Sequence, residues 1–186
     1  MTRSGSNMSS GQATASELHV PYYIFLKCAG RYADADLLRR FGLANYCRVP
    51  AASAQQLRQH AILADDGPWT LLADDWYYTL WHLPTTRPLL EELAQECDVF
   101  AGSIGDCDHS FDFVHYRGGR LVRKYVVTDP HFRGRVLVQN VGYPLPGEAD
   151  ALRHQDEAQV VQAIASNLGI RTRYALHELR YYAPPG

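Results

Sequence analysis

The sequence has no apolar run long enough to cross a membrane, and it lacks the short motifs that mark common catalytic sites. A membrane-spanning helix needs about 20 consecutive, mostly apolar residues. The patterns GxSxG, GxxxxGKS/T, GxGxxG and HExxH are all absent, so no motif points to a hydrolase elbow, a nucleotide-binding loop or a zinc protease. We therefore predict no membrane partner, no cofactor and no catalytic residue.

Cysteine is also scarce, and its spacing excludes the usual cysteine-based sites. Cys28, Cys47, Cys97 and Cys107 form no CxxC pair, and a secreted disulfide framework would be shorter and denser in cysteine. We interpret them as reduced, mostly buried thiols. The N-terminal residues 1–16 lack the apolar core of a secretory signal. These observations predict a cytoplasmic protein.

The length and composition favour one domain with a short tail. The chain has 186 residues, of which 46% are hydrophobic and 20% charged, with a net charge of −2. A nucleic-acid binder is usually basic overall, so the charge argues against that class. Residues 1–16 are rich in Ser and Gly and have too few apolar side chains to fold. We predict a flexible tail over 1–16 and a single domain over 17–186.

The periodicity of apolar residues predicts an α+β fold. It changes from the helical period of 3.6 to the strand period of 2 after Asp98, and the turn at Gly118–Gly119 is too short for a parallel crossover. We expect an antiparallel sheet of about four to five strands packed with helices. Residues 171–186 fit either a helix or a strand. The predicted strands cover 18–28, 69–73, 99–104, 110–116, 121–127 and 135–142, and the predicted helices cover 34–41, 54–63, 74–82, 89–97 and 156–168.

Charge is strongly segregated along the chain. Eleven acidic residues and one arginine lie between Asp65 and Asp112, so this acidic stretch (residues 65–112) carries −10, and the remainder carries +8. Arginines are dense over residues 117–135. Either the two parts neutralise each other within the fold, or the acidic stretch faces outward and attracts a basic partner, since a one-signed surface raises association rates.

Aromatic residues cluster inside the acidic stretch. Trp69, Trp76, Tyr77, Tyr78 and Trp81 lie within thirteen residues, interrupted by two aspartates. They could form an aromatic core. One helix face cannot bury all of them, however, and exposed Trp and Tyr beside acidic groups are typical of an interface.

The string DCDHSFD, residues 106–112, offers oxygen and imidazole groups that a metal ion could use. Its spacing matches neither a calcium-binding loop nor a zinc motif, and adjacent strand residues point to opposite faces. We therefore favour polar residues at a loop and a strand end over a metal site.

The segment PWTLLADDWYYTLW, the hairpin SFDFVHYRGGRLVRKYVV and the sequence GYPLPGE together resemble the small α+β immunity proteins of bacterial type VI and polymorphic toxin systems. The resemblance covers residues 68–148. It implies that the chain binds a cognate toxin domain and blocks the toxin's active site. The residues to which this resemblance assigns partner binding are Asp74, Asp75, Trp76, Tyr78, Asp106 and Asp108. Two alternatives stay open: a small metal-dependent hydrolase or transferase using Asp106, Asp108 and Asp112, and a non-catalytic regulatory binding module.

Overall fold

The structure is a computed structural model that describes residues 16–17, 22–28, 30–54, 59–74, 86–105 and 107–185. The strands are β1 (Ser16–Glu17), β2 (Tyr22–Lys27), β3 (Cys47–Val49), β4 (Ala61–Asp66), β5 (Trp69–Asp74), β6 (Asp98–Ile104), β7 (Phe111–Arg117), β8 (Arg120–Thr128), β9 (Val136–Gly142), β10 (Arg173–Tyr174) and β11 (Arg180–Ala183). The α-helices are α1 (Asp34–Arg40), α2 (Ala51–Ala54), α3 (Thr86–Leu93), α4 (Glu148–Ala151) and α5 (Glu157–Asn167).

Nine of these strands form one antiparallel sheet in the order β3-β11-β4-β5-β2-β6-β7-β8-β9, and β1 pairs separately with β10. The predicted α+β class and the antiparallel pairing are confirmed. The predicted size of four to five strands is wrong, because segments without a clear strand pattern join the sheet. The C-terminal segment contributes β11, which inserts between β3 and β4.

One predicted helix is partly a strand. Its last residues, 61–63, belong to β4, while residues 55–58 lie outside the described chain. Ala61, Ile62, Leu63 and Ala64 are all buried, because the sheet is covered on both faces there. A short apolar run of this kind fits a buried strand and a helix equally well, so periodicity alone does not separate them.

The two faces of the sheet carry separate apolar clusters. On the first, which we call the α5 face, Phe25, Phe100 and Phe113 pack with Val161 and Ile164 of α5. The second, the α3 face, joins alternate residues of the same strands to side chains of α1 and α3, including Leu37 and Leu93. Central strands are therefore apolar on both sides, and a polar side chain on either face is an exception that needs a reason.

Several predicted elements are confirmed. Helix α5 begins where the side chain of Asp156 accepts a hydrogen bond from the Gln159 amide at 2.8 Å, and Gly169 follows its end with a φ of 76°. Gly118 and Gly119 form the turn between β7 and β8 with φ values of 56° and 73°. The helix predicted at 74–82 falls almost entirely outside the described residues, apart from Asp74, which ends β5.

A buried ion pair fixes the connection that follows β9. The guanidinium of Arg123 lies 2.5 Å from one carboxylate oxygen of Glu148 and donates to the other at 2.9 Å. It also donates to the Asn140 side chain at 2.7 Å. The relative exposure of the two charged side chains is 1% and 3%. Arg123 therefore ties β8 and β9 to α4 across the irregular residues 143–147.

No helix among the described residues is both long enough and apolar enough to cross a membrane.

Candidate functional site

Three polar side chains form a row across the α3 face of the sheet. Tyr22 of β2 is opposite Ser103 of β6, and Ser103 is opposite Asp112 of β7. Directly opposed residues in antiparallel strands point to the same side. The alternation that places Phe111 and Phe113 in the apolar cluster of the α5 face therefore sends Asp112 to the other face.

This row lies in a cavity of about 280 Å³ beneath the start of α3. The volume is just below the range for small-molecule sites, which is about 300–1,000 Å³. It is therefore suited to a single large side chain or a small ligand. We call this cavity the Asp112 pocket. Its described lining residues are Tyr22, Thr86, Arg87, Leu90, Ser103, Asp112, Phe113, Val114, Tyr116 and Lys124.

Asp112 is the carboxylate of this pocket, and its charge is poorly solvated. Burial raises its pKa to about 6, although the hydrogen bond from Ser103 and the ammonium of Lys124 both act to lower it. Burial also raises the pKa of the Tyr22 hydroxyl, and the nearby Asp112 charge raises it further. A half-buried carboxylate that titrates near pH 6 in a cavity marks a candidate functional site.

Most other carboxylates of the acidic stretch are paired with arginines. The arginine partners come mainly from residues 31–40 and 171–180. Among the arginines of residues 117–135, only Arg117 forms an ion pair with a described carboxylate of this stretch. The described pairs are Asp65–Arg180, Asp66–Arg171, Glu91–Arg87, Glu92–Arg40, Glu96–Arg31, Glu96–Arg40 and Asp98–Arg117, at separations between 2.8 and 3.8 Å. Arg123 and Arg135 instead pair with Glu148 and Glu157.

Two carboxylates remain. Among the acidic-stretch side chains that the structure describes, Asp108 and Asp112 have no arginine or lysine nitrogen within 4.0 Å. Asp108 shapes the β6–β7 loop, since its carboxylate accepts a hydrogen bond from the Ser110 amide at 2.8 Å. It is not among the residues that line the Asp112 pocket.

The predicted partner-binding residues with a described backbone lie at one end of the sheet. Asp74 ends β5 opposite Tyr22, and Asp108 lies in the loop that follows Ser103 and precedes Asp112. Because adjacent strands are about 4.8 Å apart, the backbones of β5 and β7 are separated there by about 14 Å. Asp75, Trp76, Tyr78 and Asp106 lie outside the described residues.

One residue of the aromatic cluster, Trp69, lies in the described chain. Trp69 is buried in the apolar cluster of the α5 face, as the core interpretation predicts. The other four aromatic residues of the cluster lie in 75–85, outside the described chain.

The three aspartates of the hydrolase alternative do not share one environment. Asp112 is in the pocket and Asp108 is in the loop, while Asp106 is not described. Within the described chain, no group of three or more His, Cys, Asp or Glu side chains is arranged to hold a metal ion. Asp112 alone could exchange a proton with a ligand, or pair with a cationic group, at the base of the pocket.

Sequence analysis did not identify Tyr22 and Ser103 as site residues. Ser103 is a polar residue in the apolar run VFAGSI, and its burial, with 1% of its surface exposed, is the unusual feature. Polarity inside a buried strand is the one signal that could have drawn attention to it. The partnership with Asp112 depends on strand register, which the sequence does not specify.

No protein-family model, curated protein or solved structure matches this chain significantly.

Proposed function

We propose that this protein binds and neutralises a basic protein partner, a bacterial toxin domain, through the end of the sheet that holds the Asp112 pocket. One observation carries the proposal. The acidic-stretch carboxylates with no described ion pair, Asp108 and Asp112, lie at the same end of the sheet as Asp74. The other described carboxylates of the stretch pair with arginines of the same chain.

The size of the Asp112 pocket suits one side chain of a protein partner better than a large free ligand. The pocket is small, and the loop carrying Asp108 is beside it. A lysine or arginine side chain entering the pocket would add to the Lys124 ammonium and stabilise the charged form of Asp112, which desolvation disfavours. Aspartates placed outside the pocket would attract the partner from a distance and raise its association rate.

The test is protection from the toxin. The candidate toxin domain is the one encoded immediately upstream of this chain's gene, expressed in bacterial cells with and without the protein. We expect the wild type to restore growth, and Asp74→Lys with Asp75→Lys to reduce that protection. Asp36→Lys changes an exposed carboxylate of α1 and serves as the control that should protect fully. The absence of an adjacent toxin gene, or equal protection by all variants, would contradict the proposal.

A second candidate function is favoured by the titration of Asp112. A carboxyl group with a pKa of about 6, beside Ser103 and Tyr22, is suited to general acid–base catalysis near neutral pH. A hydrolase of this kind would release nitrophenol from ester or phosphate model substrates. Its rate would fall with acid near pH 6 and would be lost in Asp112→Asn. The absence of any turnover above the Asp112→Asn background would exclude this candidate for the substrates tested.

A further inference from the structure

Two cysteines meet at the opposite end of β2 from the Asp112 pocket. Lys27 and Asp98 are the last opposed pair of β2 and β6, and Cys28 and Cys97 are the residues immediately beyond this pair, where their side chains form a hydrogen bond. Opposed Cα atoms in antiparallel strands are about 4.5–5.5 Å apart. A disulfide spans Cα separations of about 4.4–6.8 Å, so the backbone spacing is compatible with a bond between the two sulfurs. Tyr22, which lines the Asp112 pocket, is six residues before Cys28, and a strand rises about 3.3 Å per residue. The two cysteines are therefore well separated from the Asp112 pocket.

The two thiols differ in environment. Cys28 is half-buried, and a hydrogen bond with the Cys97 side chain holds its pKa below the usual value, with a further contribution from the guanidinium groups of Arg31 and Arg40. Cys97 is buried, and its thiol lies 3.5 Å from the carbonyl oxygen of Leu93. The contact with Cys28, followed by burial, raises the pKa of Cys97. Cys28 is therefore the more exposed and the more readily deprotonated of the two thiols.

The surrounding contacts hold the two cysteines together. Glu96, next to Cys97, forms an ion pair with Arg31 at 3.1 Å and accepts a hydrogen bond from Tyr32 at 2.5 Å. Arg31 is fixed in turn, because its amide donates to the carbonyl of Cys28 at 3.1 Å. The loop after Cys28 is thus fastened to the residue before Cys97, which keeps the two sulfurs adjacent.

We infer that Cys28 and Cys97 form a redox modification site in which Cys28 reacts with a hydroperoxide and Cys97 completes a disulfide. The Cys28 thiolate attacks one peroxide oxygen, and the O–O bond breaks. The leaving hydroxide takes a proton and becomes water, while Cys28 becomes a sulfenic acid. The Cys97 sulfur then attacks the Cys28 sulfur, and the departing hydroxyl leaves as water with the Cys97 proton. Two thiols and one hydrogen peroxide thus give one disulfide and two waters.

Exposure alone would favour the other two cysteines. The prediction that the four cysteines are mostly buried is wrong, since Cys47 and Cys107 are both exposed. A reaction governed by access would therefore oxidise these two first. A reaction governed by thiolate character and a neighbouring thiol would select Cys28. This difference makes the inference testable within one chain.

The experiment uses the full chain carrying Cys47→Ser and Cys107→Ser, treated with hydrogen peroxide at pH 7 and analysed by mass spectrometry. We expect a mass lower by two hydrogen atoms, a cross-linked peptide containing Cys28 and Cys97, and reversal by dithiothreitol. Adding Cys97→Ser, or Cys97→Ala if the serine variant is unstable, should instead leave Cys28 as a sulfenic acid that dimedone traps. In the wild-type chain, Cys28 should react about tenfold faster than Cys47 or Cys107.

Three results would overturn the inference. The cross-link could fail to form in the folded protein, it could form only in denaturant, or Cys47 and Cys107 could be oxidised as fast as Cys28. Thermal unfolding of each variant before treatment shows whether it is folded, so a negative result refers to the native site.

Discussion

Asp112 is half-buried on the α3 face, and desolvation raises its pKa from 3.8 to about 6. The folded state therefore binds more protons than the unfolded state between these two values. Stability consequently falls as the pH rises through this window, and the loss is complete above pH 6. A shift of two pKa units corresponds to about 3 kcal/mol.

Replacing Asp112 with asparagine removes this loss while keeping a similar shape beside Ser103. We predict that Asp112→Asn becomes more stable than the wild type by up to about 3 kcal/mol at pH 8, with a much smaller advantage at pH 4. Urea denaturation of both proteins at the two pH values measures the difference, and the other titrating groups contribute equally to both. A difference that does not change with pH would show that Asp112 is well solvated.

Arg123 and Glu148 form the most deeply buried ion pair in the described chain, and Glu148 also accepts the Leu145 amide at 2.9 Å. Removing one partner leaves the other charge buried without compensation, which typically costs about 3–5 kcal/mol. We therefore predict that Glu148→Gln lowers the free energy of unfolding by about 3 kcal/mol or more. Chemical denaturation tests this.

The control is the exposed pair formed by Asp150 and Arg153, whose side chains are both 80% exposed. Asp150→Asn should leave the stability unchanged, because exposed ion pairs contribute little. Equal effects of Glu148→Gln and Asp150→Asn would mean that water reaches the buried pair.

The structural roles of some residues can be predicted from the sequence, and those of others cannot. Asp156 was predictable as a helix cap because its partner amide is three residues away. The role of Asp112 was not predictable, because its hydrogen-bond partner Ser103 is on another strand and register decides their contact. Cys28 and Cys97 are separated by 69 positions, and only the pairing of β2 with β6 brings them together.

The β7–β8 hairpin depends on two glycines in the left-handed region. The φ values of Gly118 and Gly119 are 56° and 73°, which suit a two-residue primed turn. A β-branched side chain is strained there, and a Cβ atom on Gly119 would approach the side chain of Gln95 to 2.6 Å. We predict that valine at both positions destabilises the protein by about 1–3 kcal/mol.

Arg120→Val is the matched control for this prediction, because it places valine at an exposed strand position beside the turn. Thermal and urea denaturation of the two variants should differ clearly. Similar stability would indicate that the turn does not constrain the pairing of β7 and β8.

At the level of elements, prediction worked where the signals are local. The hairpin and α5 were found from turn glycines, capping residues and periodicity. The helix predicted over 54–63 includes the first three residues of β4, because the apolar run there shows no alternation that would separate a strand from a helix. The sequence does not decide between a helix and a strand for β11, because its place in the sheet depends on β3 and β4, which are distant in sequence.

Across the whole molecule, folding brings together acidic and basic residues that are segregated along the sequence. The described carboxylates of the acidic stretch pair mainly with arginines from residues 31–40 and 171–180. Sequence analysis found the imbalance but not these partners, because ion pairs between distant segments depend on how the strands are ordered. Asp108 and Asp112 are left at one end of the sheet, and this asymmetry is the basis of the proposed binding site.

The most direct test is the association rate of the proposed toxin domain, measured by surface plasmon resonance at 0.1 M and 1 M salt. The screening length falls from about 10 Å to about 3 Å between these conditions, so the wild-type rate should fall with added salt. Asp74→Lys with Asp75→Lys should slow association about tenfold or more at low salt, while Asp36→Lys should not. If the rate depends on neither salt nor the paired substitution, or if Asp36→Lys slows it equally, this end of the sheet is not the binding site.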